Sequence, residues 1–153
     1  MMDARTKAAV GVLAAAEGEV LDVFGASLVA KTRPEVVGFL LADHVVPPGY
    51  VVPPHSHAVD HEALFLLEGE LTLLSAHGEA RLTAGGTAQL PAGVPHGFRN
   101  DTDRPVRLLV LAAPGIQALE MFRHFDRAGQ AAPGGLAPPQ IIEICRQYGV
   151  TMG

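Results

Sequence analysis

From residue 20 to residue 113, apolar side chains come in short runs that Gly, Pro, Asp or Asn interrupts at close intervals. An amphipathic helix would repeat apolar residues three and four apart over many positions, whereas short interrupted runs fit strands joined by tight turns. The pattern predicts strands over 20–24, 26–32, 36–44, 63–67, 70–75, 79–83, 87–90, 96–100 and 106–112. Between them lie Pro47-Pro48-Gly49, Glu68-Gly69, His77-Gly78, Gly85-Gly86 and Asp101-Thr102-Asp103. These supply turn chemistry, with Gly accepting positive φ, Pro presetting φ and Asp bonding the backbone ahead of it. Many short strands with few helical periods between them indicate an all-β antiparallel sandwich or barrel.

After Pro114 the period changes. Leu119, Phe122 and Phe125 recur at helical spacing and predict a helix over 116–128 with its apolar face on the sheets. Residues 129–139, rich in Gly, Ala and Pro, read as a connector, and Ile141, Ile144, Cys145 and Tyr148 predict a short second helix ending at Gly149. The expected organisation is an N-terminal strand or arm over 1–19, a barrel over 20–114 and a helical tail over 115–153 packed on it. The apolar segment 8–16 is expected to be an edge strand. It is a poor signal-peptide core, because Asp3 precedes it and Glu17 and Glu19 follow, and it falls short of the about 20 residues that span a bilayer.

Composition narrows the partners. With 48% hydrophobic and 18% charged residues in a chain of 153, one well-packed core is expected. A net charge of −5 and the lack of a Lys/Arg-rich segment give no surface suited to phosphate backbones or anionic lipid. Neither nucleic acid nor membrane is an expected partner; a small organic molecule is. Cys145 is the only cysteine, which excludes an intramolecular disulfide framework and fits a reducing cytoplasm. Its place on the apolar stripe of the second helix marks a buried thiol.

Four side chains carry the candidate chemistry. His55 and His57 are two apart, so in an extended strand both imidazoles share a face. Glu62 follows five residues later, and His96 lies on a predicted strand far downstream. Three imidazoles and one carboxylate suit one divalent transition ion, Fe, Mn, Ni, Co, Cu or Zn, whereas calcium takes more oxygens. The surrounding spacing is regular: five residues separate Gly49 from His55, four separate His57 from Glu62, and six separate Glu62 from Gly69. A second stretch has Gly85, Pro91, Gly93, His96 and Asn100 in Pro91-Ala92-Gly93-Val94-Pro95-His96-Gly97-Phe98-Arg99-Asn100.

These two stretches resemble the paired motifs of the cupin superfamily, and every position the motifs specify is met. The resemblance implies a jelly-roll barrel with one or two short C-terminal helices, and a metal held inside by His55, His57, Glu62 and His96. Pro53-Pro54-His55-Ser56-His57, the run from Glu62 to Glu70 and the Tyr148-Gly149 ending are similar to the single-domain, quercetin 2,3-dioxygenase-like cupins. Two positions depart from that group: His61 stands where an acidic residue often precedes the ligand carboxylate, and Gly86 replaces an aspartate.

What this likeness implies is a dioxygenase that cleaves a small aromatic, flavonol-like or enol substrate with O2. Glu62 is then a ligand and a catalytic base, its pKa raised by an apolar barrel. Strand alternation puts Leu64, Leu66 and Phe98 on the substrate pocket. A non-oxidative metal-dependent isomerase or polyketide-type cyclase, and a non-enzymatic binding module, are the other readings. Cupins of this size pair through terminal strands, so a homodimer is expected. His61 should point away from Glu62; His44, His77 and His124 are read as surface or packing residues, and Asn100 as a turn residue.

Overall fold

The apolar runs pair into two antiparallel sheets. The computed structural model describes residues 9–153, which form strands β1 (Glu19–Val23), β2 (Ala26–Ala30), β3 (Leu40–Val46), β4 (Val51–His57), β5 (His61–Glu68), β6 (Glu70–Ser75), β7 (Gly78–Thr83), β8 (Thr87–Leu90), β9 (His96–Arg99), β10 (Val106–Ala113) and β11 (Val150–Met152). The helices are α1 (Pro34–Val37), α2 (Ile116–Gln130) and α3 (Pro138–Gln147). One sheet has the order β1-β2-β3-β10-β5-β8 and the other β11-β4-β9-β6-β7. Inward residues alternate along each strand, as in β3, where Leu40, Ala42, His44 and Val46 are buried. Leu28, Leu40, Leu66, Leu71 and Leu108 are fully enclosed between the sheets. A six-strand and a five-strand sheet closing on one core is the expected jelly roll.

Three elements differ from the sequence pattern. Val36 and Val37, expected in a strand over 36–44, lie in α1, because Pro34 at its first turn presets helical φ. β4 was hidden by Pro53 and Pro54, which strands seldom tolerate. The ladder between β4 and β9 shifts register between Val52 and His55, so the two prolines sit in the bulge and no regular pairing is lost. Gly97 of β9 permits this: a Cβ there would overlap the Val52 carbonyl oxygen and stand 2.9 Å from the Pro53 carbonyl carbon. β11 is only three residues long, too short for a period to show.

The expected N-terminal edge strand over 8–16 is not formed by residues 9–16; residue 8 lies outside the described residues. Val10 and Val12 are 94% and 85% exposed, so little among the described residues packs on them. The C-terminal helices pack on the sheets. Helix α2 buries Ala118, Leu119, Met121 and Phe125, and α3 buries Ile144 and Cys145. Asp60, in the link from β4 to β5, caps α2 across space by accepting from the Gly115 and Ala118 N–H groups at 2.8 and 3.2 Å. No helix among the described residues is long and apolar enough to cross a membrane.

Candidate metal centre

β4 presents His55 and His57 on one face, and across the ladder His55 pairs with His96 of β9. All three imidazoles therefore belong to the five-stranded sheet. Glu62 comes from β5 in the opposite sheet. One ligand atom from each of the four lies within 4.8 Å of the others, in the gap between the sheets.

Two of the imidazoles are aimed by the same local device. His55 Nδ1 lies 2.9 Å from the Pro53 carbonyl, and His96 Nδ1 lies 3.0 Å from the Val94 carbonyl. A carbonyl only accepts, so Nδ1 carries the proton in each ring and Nε2 is turned to the centre. In both cases a proline, Pro54 or Pro95, separates acceptor and histidine. Proline keeps the residue before it extended, which holds that carbonyl in place.

Glu62 bridges two rings, with Oε1 3.4 Å from His57 Nε2 and Oε2 3.2 Å from His96 Nε2. Its side chain is 8% exposed. Burial alone would raise its pKa, as the sequence suggests, but the hydrogen bond from His96 and the charge of the three imidazoles outweigh burial and hold it below the ordinary glutamate range. The expectation of a raised Glu62 pKa is thereby corrected. For His96, burial works downward and is outweighed by Glu62, so its pKa is raised. Burial lowers that of His55, aided by the neighbouring imidazoles.

The donor set fits a divalent ion. Three ring nitrogens and one carboxylate converge, and a buried carboxylate among imidazoles has no Lys or Arg beside it among the described residues that line the adjoining cavity. That cavity holds about 660 Å³ and runs from the four ligands toward α2 and α3. Phe24, Phe98, Phe122, Phe125, Ile141 and Met152 form much of its wall. Leu64 and Phe98 line it as alternation suggests. Leu66 does not: one pleat further along β5, it is wholly enclosed in the core.

Of the other histidines, His61 is exposed and accepts a hydrogen bond from Ala92 N–H at 3.0 Å, which ties β5 to the turn leading to His96. It stands outside the four-residue cluster. His77 is exposed in a turn, and His124 Nδ1 is 3.0 Å from the Tyr148 hydroxyl. Asn100 is a turn residue as expected: its amide donates to Val46 and Arg104 carbonyls at 3.2 and 2.8 Å, and its Oδ1 accepts from Thr102 N–H at 3.0 Å. Cys145 is 4% exposed, and burial pushes its thiol pKa up.

Asp60 and Gly97 are positioning residues that the spacing did not flag. Asp60 left no signal, since the helix it caps lies over fifty residues away in sequence. Gly97 had one: glycine inside a strand marks a bulge or a close backbone approach.

Two sheets whose facing strands deliver three histidines and one glutamate to an internal cleft define a known architecture, and residues 43–112 match the cupin-domain family model. The barrel has the cupin fold. Among solved structures, the chain is similar to a cupin-superfamily sugar phosphate isomerase from Silicibacter pomeroyi, with 28% identity, a TM-score of 0.53 and 60% of each chain covered. The chain thus spans less than two thirds of that protein's length. The polyketide cyclase RemF from Streptomyces resistomycificus shares the fold at 23% identity, TM-score 0.61, with 69% of this chain and 80% of that one covered. So does KdgF from Halomonas sp., at 17% identity, TM-score 0.63, with 71% and 99% covered. No curated protein matches the chain.

Proposed function

We propose that this cupin is a metal-dependent dioxygenase of the quercetin 2,3-dioxygenase-like type, acting with O2 on a small aromatic or enol substrate. The observation that carries this reading is a four-donor centre opening onto an aromatic-walled cavity without a Lys or Arg among its described lining residues. A divalent ion held there would polarise a substrate oxygen and offer free positions to an incoming ligand. The protein's part is to orient and exclude water. Phe98, Phe122 and Phe125 provide faces for flat rings, and the apolar wall displaces solvent from the substrate's reacting end. Glu62 stays anionic, serves as a ligand, and is the carboxylate at hand to take a proton from a substrate hydroxyl.

The same cavity argues against a phosphorylated substrate such as that of the Silicibacter isomerase, because its described lining offers a phosphate no Lys or Arg. O2 uptake by protein loaded in turn with Fe, Mn, Co, Ni and Cu, with quercetin as substrate, tests the dioxygenase. Silence with all five removes flavonol cleavage. Product formation under strict anaerobiosis would instead assign a non-oxidative cyclase or isomerase.

Homodimerisation and a cytoplasmic setting belong to the same reading. Val10, Val12 and Leu13 are exposed and apolar, and pairing with a second chain covers them. A monomer mass in light scattering removes the dimer.

A further inference from the structure

At the end of the cavity away from the metal ligands stands a polar side chain that neither the ligand set nor the fold uses in full. His44 projects inward from β3 and is 4% exposed. Its Nδ1 lies 2.8 Å from the Ser27 carbonyl, so that nitrogen donates and Nε2 holds a lone pair. The ring is fixed from the other side by Tyr50, edge-on at 6.1 Å, whose own hydroxyl donates to the Val23 carbonyl at 2.7 Å.

Nε2 of His44 has no hydrogen-bond partner among the described residues. Among the described residues no fully buried side-chain nitrogen or oxygen lacks one. Nε2 is therefore not walled in by protein, and the surface that His44 lines is the cavity. Apart from the four ligands, the polar side chains lining it are His44, Tyr50 and Cys145. The Tyr50 hydroxyl proton is already committed, and a thiol is a weak partner. His44 thus offers an unused ring-nitrogen acceptor on an otherwise apolar described wall, a stronger one than the Tyr50 phenolic oxygen beside it.

We propose that His44 is the second polar recognition point of this cavity and accepts a hydrogen bond from a hydroxyl on the substrate end remote from the metal ligands. This rests on the reading of the cavity as a substrate site and deepens it by defining the substrate's chemistry. Burial keeps the His44 imidazole below the ordinary histidine range, so at neutral pH it accepts and carries no charge.

The registers set the length of molecule required. His44 pairs with Leu108 of β10, and Leu108 pairs with Leu66 of β5, four residues along from Glu62. Four residues along a strand and two strand spacings across come to roughly 13 Å and roughly 10 Å, shortened by the barrel's curvature. A single ring does not reach. The substrate is a flat, largely apolar molecule of two or more joined rings, with ligating oxygens at one end and a hydroxyl at the other.

The test uses the zinc-loaded full chain and the matched probes 2-naphthol and naphthalene, which differ by the one hydroxyl. Calorimetric or fluorescence titration should show 2-naphthol binding about tenfold tighter than naphthalene. In His44→Leu that gap should shrink to within about threefold, while His44→Gln should keep part of it, since glutamine can donate to Ser27 and still present an oxygen. In the unsubstituted protein, the unprotonated ¹⁵N resonance of His44 should move with 2-naphthol and stay with naphthalene, a readout independent of whether the variants fold. Naphthalene binding with no hydroxyl preference, or a preference that survives in His44→Leu, overturns the role of His44 and leaves the cavity reading standing. Failure of both probes to bind overturns the two together.

Discussion

At one end of the cavity, four ligating groups from three strands meet within 4.8 Å. At the other, Phe24, Met121, Phe122 and Phe125 come from the β1–β2 turn and a helix, and the His44 imidazole lines the same cavity. The first end is held by backbone: a ladder between β4 and β9, two prolines that aim carbonyls, and a glycine that lets the strands cross. The far end is held by side-chain packing of a tail. A rigid reacting end joined to a softer wall is a division of labour in which the metal set can stay fixed while the wall selects the substrate.

Substitutions at the two ends should therefore separate metal binding from the rest. The largest effect is expected for Gly97→Ala. Its Cβ collides with backbone rather than with a movable side chain, so β4 must shift and stability should fall by about 3 kcal/mol. Thermal unfolding should show a drop of roughly 6–12 °C, and metal content should fall with it. His96→Ala should leave the fold intact and weaken metal binding by more than about 100-fold in competition with a chelator. A loss of only a few-fold would make the centre far less dependent on its β9 ligand than the geometry implies.

At the soft end, Asp60→Ala removes two charge-assisted bonds at the start of α2 and should cost about 2 kcal/mol. Metal affinity in that variant should stay within about threefold of the parent, because the Asp60 carboxylate bonds the start of α2 and not the ligands. The smallest effect is that of pH. In the metal-free chain the His96 pKa is raised, and an incoming ion must displace that proton. Affinity should be full above the raised His96 pKa and fall by about tenfold per pH unit below it. Calorimetry in two buffers of different ionisation heat, near the ordinary histidine value of 6.5, should register the released proton.

The same contrast explains what could be read without coordinates. His55 and His57 were legible because strand periodicity converts spacing into shared direction, and Glu62 and His96 because the stretches that hold them resemble the paired cupin motifs. The sheet itself was legible from turn residues and apolar runs. β4 was not, since Pro53 and Pro54 argue against a strand unless the register shift opposite Gly97 is known. Leu66 shares its face with Leu64, yet alternation says which side a residue faces and not how deep it lies. Asp60 and His44 act on partners distant in sequence, and no local pattern announces such pairs.

The centre requires that three imidazoles and one carboxylate hold the same ion. X-ray absorption on the metal-loaded protein tests this directly. Three histidine scattering paths with an oxygen in the same shell are expected, with one histidine path lost in His96→Ala. A shell with no or one histidine, or a chain that takes up no divalent ion at all, would contradict it.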